Sequence, residues 1–211
     1  GKTSSCNKND MARTKNVIEN ALKEASYLVV LVHSHEIKGL TDDEPDYFLE
    51  EFARSCIDWG ASAVIGSGTH QLKAIEIYKG KPIFYSIANF IFQSDASHYM
   101  PQDYYEKYDI PTEYTAEQAI AIRSANGTRG LNCDFMNFRA IMPFMEFEDG
   151  KLCRLVLYPL EMGFAAGPGL RGYPNLADEK TAKEIADRLV ELSTPYGTKL
   201  STRKNRIVVT I

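Results

Sequence analysis

Between positions 13 and 25, Val17, Ile18, Ala21, Leu22 and Ala25 recur at three- and four-residue intervals, a spacing that predicts an amphipathic helix with one buried stripe. The pattern then changes. Tyr27 to Val32 (YLVVLV) is an unbroken β-branched and aliphatic run, as expected of a strand buried on both faces, and it ends in the polar cluster His33, Ser34, His35 and Glu36. A second helix is expected from Pro45, a residue suited to a first turn, with Phe48, Leu49, Phe52, Ala53, Cys56 and Ile57 inward and Gly60 as its stop. Ser62 to Ile65 predicts a short strand that runs into Gly66, Ser67, Gly68, Thr69 and His70. Strand, helix and strand make one βαβ crossover, whose parallel strands bring their polar ends side by side. His33 and His70 are therefore expected to be neighbours in space.

Ala74 to Tyr78 and Pro82 to Ser86, joined by Lys79, Gly80 and Lys81, read as a β-hairpin. The segment from about 93 to 135 is rich in Tyr, Asp, Gln and Gly and reads as a long decorated loop with one short helix near 115–123. Residues 138–147 and 151–158 flank Asp149-Gly150, a strong hairpin signal. A helix over about 178–192 places Ala182, Ile185, Ala186 and Leu189 on one face, and a strand over 206–211 closes the chain. No repeat, low-complexity tract or linker divides it.

With 211 residues, 44% hydrophobic and 25% charged, the chain has ordinary globular composition and length enough for one substantial core. A formal net charge of −4 argues against a nucleic-acid partner. No run approaches the roughly 20 apolar residues of a membrane helix. The opening GKTSSCNKNDMARTK has no apolar middle of a signal peptide and no starting Met, which reads as a processed fragment. Cys6, Cys56, Cys133 and Cys153 are scattered without metal-type spacing and read as free thiols.

His33, His35 and His70 lie at the mouths of adjacent strands, while His98 sits in the polar loop. Imidazole is a common ligand for zinc, manganese or iron, and a carboxylate such as Glu36 can complete a shell or act as base. A hydrogen-bonded surface histidine is the competing reading. Glu76 reads as an acceptor for a ligand or, more commonly for a hairpin strand, as a solvent-facing side chain. Asn89 reads as a turn residue, and the Tyr99 to Tyr114 stretch as aromatic packing of a loop on the body.

The segment LVVLVHSHE, followed by GASAVIGSGTHQLKAIEIYKGKPIFYSIANFIFQ, resembles the CapA/PgsA family of capsule and poly-γ-glutamate synthesis proteins, and the likeness continues through LVLYPLEM, RGYPNLA and LSTPYGT. The pairing of HSHE with EIYKGKPIFYS is its specific part. The resemblance implies a calcineurin-like metallophosphoesterase core of α/β (α+β) class: a four-layer sandwich of mixed sheets flanked by helices, with a two-metal site at the sheet edges. It implies that residues 1–211 form the C-terminal portion of that domain, the half bearing the other motifs being absent. Carried onto this sequence, it makes His33 and His70 metal ligands for Mn, Zn or Fe. His35 and Glu36 become catalytic groups that support the ligands or touch substrate, and Ser67, Gly68 and Asn89 substrate-binding positions.

Where the family reads GHGPH this chain reads GSGTH, with Ser67 in place of a ligand-type histidine and Thr69 in place of proline. Hydroxyl is a poor substitute for imidazole on a transition metal, so the fragment is expected to be metal-poor and catalytically weak. The partners implied are an anionic polymer or phosphorylated small molecule and a capsule synthase, in the bacterial envelope or cytoplasm. A non-catalytic module binding polymer or synthase is the alternative. Pairing with the missing half, or a homo-oligomer, is a further way to cover exposed sheet edges.

Overall fold

Asn7 starts the first helix, its side-chain oxygen accepting from the backbone N–H groups of Asn9 and Asp10, and α1 runs Lys8–Ala21. The computed structural model describes residues 3–39, 43–167 and 169–211. The expected stripe over 13–25 is corrected: Ile18 alone in α1 is buried, Val17 is 62% exposed, and Ala25 lies exposed beyond the helix end. Cap chemistry at Asn7 fixes the start, and the hydrophobic spacing did not register it.

The first sheet holds β1 (Val29–Ser34), β2 (Ala63–Gly68), β3 (Ile75–Tyr78) and β4 (Lys81–Phe84), in the order β1-β2-β4-β3. β1 and β2 are parallel, joined through α2 (Tyr47–Asp58), so the crossover forms as the sequence predicts. Asp46 caps α2, and Leu49, Ala53, Cys56 and Ile57 are its buried face. The expectation that β1 is buried on both faces is overturned. It is an edge strand on which Val29, Leu31 and His33 alternate with half-buried Val30, Val32 and Ser34, and Leu31 is 76% exposed. The run of apolar residues reflects an inward face and an uncovered one, which composition alone does not separate. β2 extends through Gly68, so Gly66 to Gly68 is strand rather than turn.

Residues 93–135 carry more structure than a loop with one helix. Besides α4 (Ala116–Arg123), which has a capping box between Thr115 and Gln118, α3 (Gln102–Lys107) forms. Tyr105, Ile110 and Ala119 are buried between them, with Met100, Tyr104 and Tyr108 packed around. Tyr104, Tyr105 and Tyr108 therefore pack as the sequence suggests, whereas Tyr99 and Tyr114 are exposed, Tyr99 to 91%.

The second sheet holds β5 (Arg139–Glu148), β6 (Lys151–Glu161), β7 (Asn175–Leu176), β8 (Leu200–Arg203) and β9 (Arg206–Val209), in the order β5-β6-β9-β8 with β7 on β6. β8 was not anticipated, its LSTR sequence being too polar to read as a strand. α5 (Glu179–Ser193) presents Ala182, Ile185, Ala186 and Leu189 to a core that joins Ile75 and Phe84 of the first sheet to Ile141, Leu155, Leu157, Ile207 and Val209 of the second. A separate core lies between the helices α1 and α2 and the first sheet. The chain is thus an α/β protein of two sheets with helices packed on them. All four cysteines are free. Among the described residues no helix is long and apolar enough to cross a membrane.

Candidate functional site

Parallel pairing sets His33 opposite Ser67 and Ser34 opposite Gly68, so the C-terminal ends of β1 and β2 lie side by side. His33 Nδ1 is 3.1 Å from Ser67 Oγ, and its Nε2 is 3.1 Å from Nε2 of His35. His35 stands between the other two histidines, its ring centroid 4.9 Å from that of His33 and 5.5 Å from that of His70. Glu36 is exposed beside them, its backbone N–H donating to Ser34 Oγ. The three imidazoles therefore meet at one sheet end, whereas His98 lies exposed in the wall of a separate cavity.

Asn89 fixes the chemistry of His70. Its amide nitrogen donates to the carbonyls of Asn137, at 2.9 Å, and His70, at 3.4 Å, so its Oδ1 is the atom facing His70 Nδ1 at 2.9 Å. An acceptor there requires the Nδ1–H tautomer, which leaves the Nε2 lone pair free. Asn89 is thus an orienting partner of His70, a role beyond the turn function that the sequence favoured. His70 itself has φ of 65°, in the left-handed region, which turns the chain sharply out of β2. Gly68, with φ of +117°, permits the close approach: a Cβ there would overlap the carbonyl of Ser34 on β1.

Two charged residues behave differently from their sequence appearance. Lys73 is fully buried, and its ammonium donates to the carbonyl of Glu44 at 2.6 Å and reaches that of Glu36 at 3.5 Å, tying down the chain after the HSHE segment. Nothing in the residue pattern distinguishes it from a solvated lysine. Glu76, expected to face solvent or a ligand, is 7% exposed and paired with Arg54 at 3.1 Å, with Tyr85 donating a second hydrogen bond. Arg54 belongs to α2, so the charge of the carboxylate is balanced from that helix.

The donor chemistry suits part of a metal centre. Zn–N bonds of about 2.0–2.1 Å set two tetrahedral ligands roughly 3.3 Å apart, and the Nε2 atoms of His33 and His35 are 3.1 Å apart. The other ring nitrogens of His33 and His70 are held by Ser67 and Asn89, as ligating histidines are commonly oriented. Among the described residues, however, no group of three or more His, Cys, Asp and Glu is arranged to hold an ion. What the geometry offers is a pair of donors with a third imidazole nearby.

Residues 2–94 match the family of bacterial capsule synthesis proteins, and every candidate site residue from His33 to Asn89 falls within them. Two uncharacterized proteins of Sinorhizobium fredii, y4sH and y4uA, are each 34% identical over 208 residues, covering 95% of this chain and 45% of the relative. The PGA biosynthesis protein CapA of Bacillus subtilis is 38% identical over 76 residues, 36% of this chain and 19% of that protein. The chain therefore spans less than half the length of these relatives. Over part of its length the chain is thus similar to the CapA-type capsule synthesis proteins.

Proposed function

We propose that the chain forms part of a metallophosphoesterase-like domain of a capsule biosynthesis protein, in which His33, His35 and His70 contribute part of a divalent-metal centre. The observation that carries this reading is the meeting of three imidazoles at the ends of neighbouring parallel strands, two of them 3.1 Å apart through Nε2. A manganese, zinc or iron ion held there would supply Lewis acidity toward a phosphoryl oxygen and lower the pKa of bound water. The chain's own groups do the positioning. Ser67 and Asn89 orient the rings of His33 and His70, and Glu36, exposed next in the chain to His35, is the candidate proton acceptor. The substrate class is a phosphorylated intermediate or anionic polymer of capsule synthesis.

Ser67 supports a second reading, a non-catalytic module that binds polymer or a synthase partner, since a hydroxyl occupies the place of a ligand-type imidazole. Manganese-dependent hydrolysis of bis(p-nitrophenyl) phosphate by the full-length protein separates the two. The catalytic reading expects hydrolysis that His33→Ala and His35→Ala each reduce by about 100-fold or more, and that Ser67→His raises. Hydrolysis indifferent to both alanine variants overturns the histidine assignment. Absence of hydrolysis in the natural protein and in Ser67→His selects the binding module.

A further inference from the structure

Charged residues that pair directly across β5 and β6 are of opposite sign: Arg139 with Glu161, Glu146 with Arg154, and Glu148 with Lys151. The β8–β9 hairpin departs from this pattern. Arg203 stands directly opposite Arg206, where two like charges repel, and Lys204 lies between them in the turn with φ of 54°. Among the described residues no ion pair reaches Arg203, Lys204 or Arg206, whereas Arg154 beside them holds Glu146 at 3.2 Å. The hairpin thus keeps a local repulsion that no carboxylate of the described chain offsets, and such departures from local consistency mark functional sites.

Arg154, Arg203, Lys204 and Arg206 line one cavity of about 460 Å³, together with Asn205 and two valines, Val156 and Val208. Leu155, Leu157, Ile207 and Val209 of the same strands belong to the core, so the alternating positions that line the cavity face outward from the second sheet. Two of the guanidiniums are braced by rings on that face. Arg206 lies 5.3 Å over Tyr158 and Arg154 lies 5.9 Å over Phe144, contacts that hold a guanidinium by its plane and leave its N–H edge to donate. None of these residues belongs to the histidine cluster, which stands at the end of the first sheet.

We propose that this cavity binds a multiply charged phosphate group, as a phosphomonoester or a diphosphate, and that the ligand supplies the counter-charge the β8–β9 hairpin lacks. A phosphomonoester concentrates about −1.5 to −2 charge and three strong acceptor oxygens on one group, and guanidinium edges meet phosphate oxygens two at a time. A single carboxylate would balance only one of the three cations without an acidic partner. A polymeric acid spreads its carboxylates along a chain, whereas these cations surround one compact space. Val156 and Val208 offer an apolar surface to the organic part of the ester.

The test is calorimetric titration of the full-length protein with inorganic pyrophosphate, at low ionic strength and in the presence of EDTA, beside tricarballylate as a carboxylate of comparable charge. Arg203→Gln and Arg206→Gln, both at exposed positions, are each expected to weaken pyrophosphate binding by about ten-fold or more, while Lys183→Gln on α5 leaves it unchanged. Without ligand, Arg203→Gln should unfold at the same temperature as the natural protein or above it, because it removes a like-charge pair. Pyrophosphate should raise the unfolding temperature of the natural protein more than that of the variant. Sedimentation with phosphatidylcholine vesicles carrying phosphatidic acid separates the two sources of the group: capture that Arg203→Gln abolishes identifies a lipid headgroup, and no capture identifies a soluble ester. No binding of pyrophosphate, equal binding by the two arginine variants and the natural protein, or tighter binding of tricarballylate or of a γ-linked glutamate oligomer than of pyrophosphate overturns the proposal.

Discussion

Removing Arg54 is expected to destabilise the fold more than removing the charge of its partner. Glu76 is 7% exposed, and both of its oxygens lie 3.1 Å from Arg54 Nε, while the Arg54 side chain keeps 36% of its exposure. Breaking a fully buried ion pair costs about 3–5 kcal/mol because a charge is left uncompensated. Water reaches the arginine side, which screens the pair, so Arg54→Met is expected to cost about 2–3 kcal/mol. Glu76→Gln keeps an acceptor for the Tyr85 hydroxyl and leaves a guanidinium that can hydrate, a loss of about 1 kcal/mol. The double variant should cost less than the sum, since the stranded carboxylate is gone. Burial, with the hydrogen bond to Glu76 second, also pushes the Tyr85 phenol above its ordinary 10.0. The unfolded chain then releases that proton first, so this contribution is intact below pH 10 and is lost as pH rises beyond it. Urea denaturation of the three variants, and of Tyr85→Phe at pH 8 and 10.5, measures all of this. Equal costs for Arg54→Met and Glu76→Gln, or strict additivity, would refute the reasoning.

Gly68→Ala forces a side chain into a left-handed backbone and against Ser34, and is expected to cost more than about 2 kcal/mol by thermal or urea unfolding; a loss below about 0.5 kcal/mol contradicts the close packing of β1 on β2. Burial pushes the Cys56 thiol up to about 12, so at pH 8 iodoacetamide should label exposed Cys153 and spare Cys56 until urea unfolds the chain, as peptide mass mapping will show. Leu31→Lys, at a position 76% exposed on the edge strand, should change the stability of the 211-residue chain by less than about 0.5 kcal/mol; a larger loss means that the edge is covered in solution.

The crossover and the hairpins were legible because their signals are local. The 178–192 pattern anticipated α5, and Asp149-Gly150 marked the β5–β6 turn. Parallel pairing alone anticipated His33 and His70 at one end of the sheet, and His35 stands between them. What stayed hidden depends on partners distant in sequence. Nothing near Asn89 announces that its oxygen faces His70, because its amide is oriented by Asn137, a residue of another element. Lys73 and Glu76 look like surface charges until the carbonyl of Glu44 and the guanidinium of Arg54 are placed against them. The edge position of β1 could not be read from YLVVLV, since an apolar run is the same whether both faces are covered or one.

The most direct measurement is ¹⁵N NMR of the histidine side chains in the full-length protein during titration with zinc. A shared centre predicts that the Nε2 resonances of His33, His35 and His70 move together and saturate at one stoichiometric point, with Nδ1 of His70 remaining protonated toward Asn89 and His98 unmoved. Zinc that shifts His98 while leaving those three in place, or that shifts them at separate concentrations, contradicts the account.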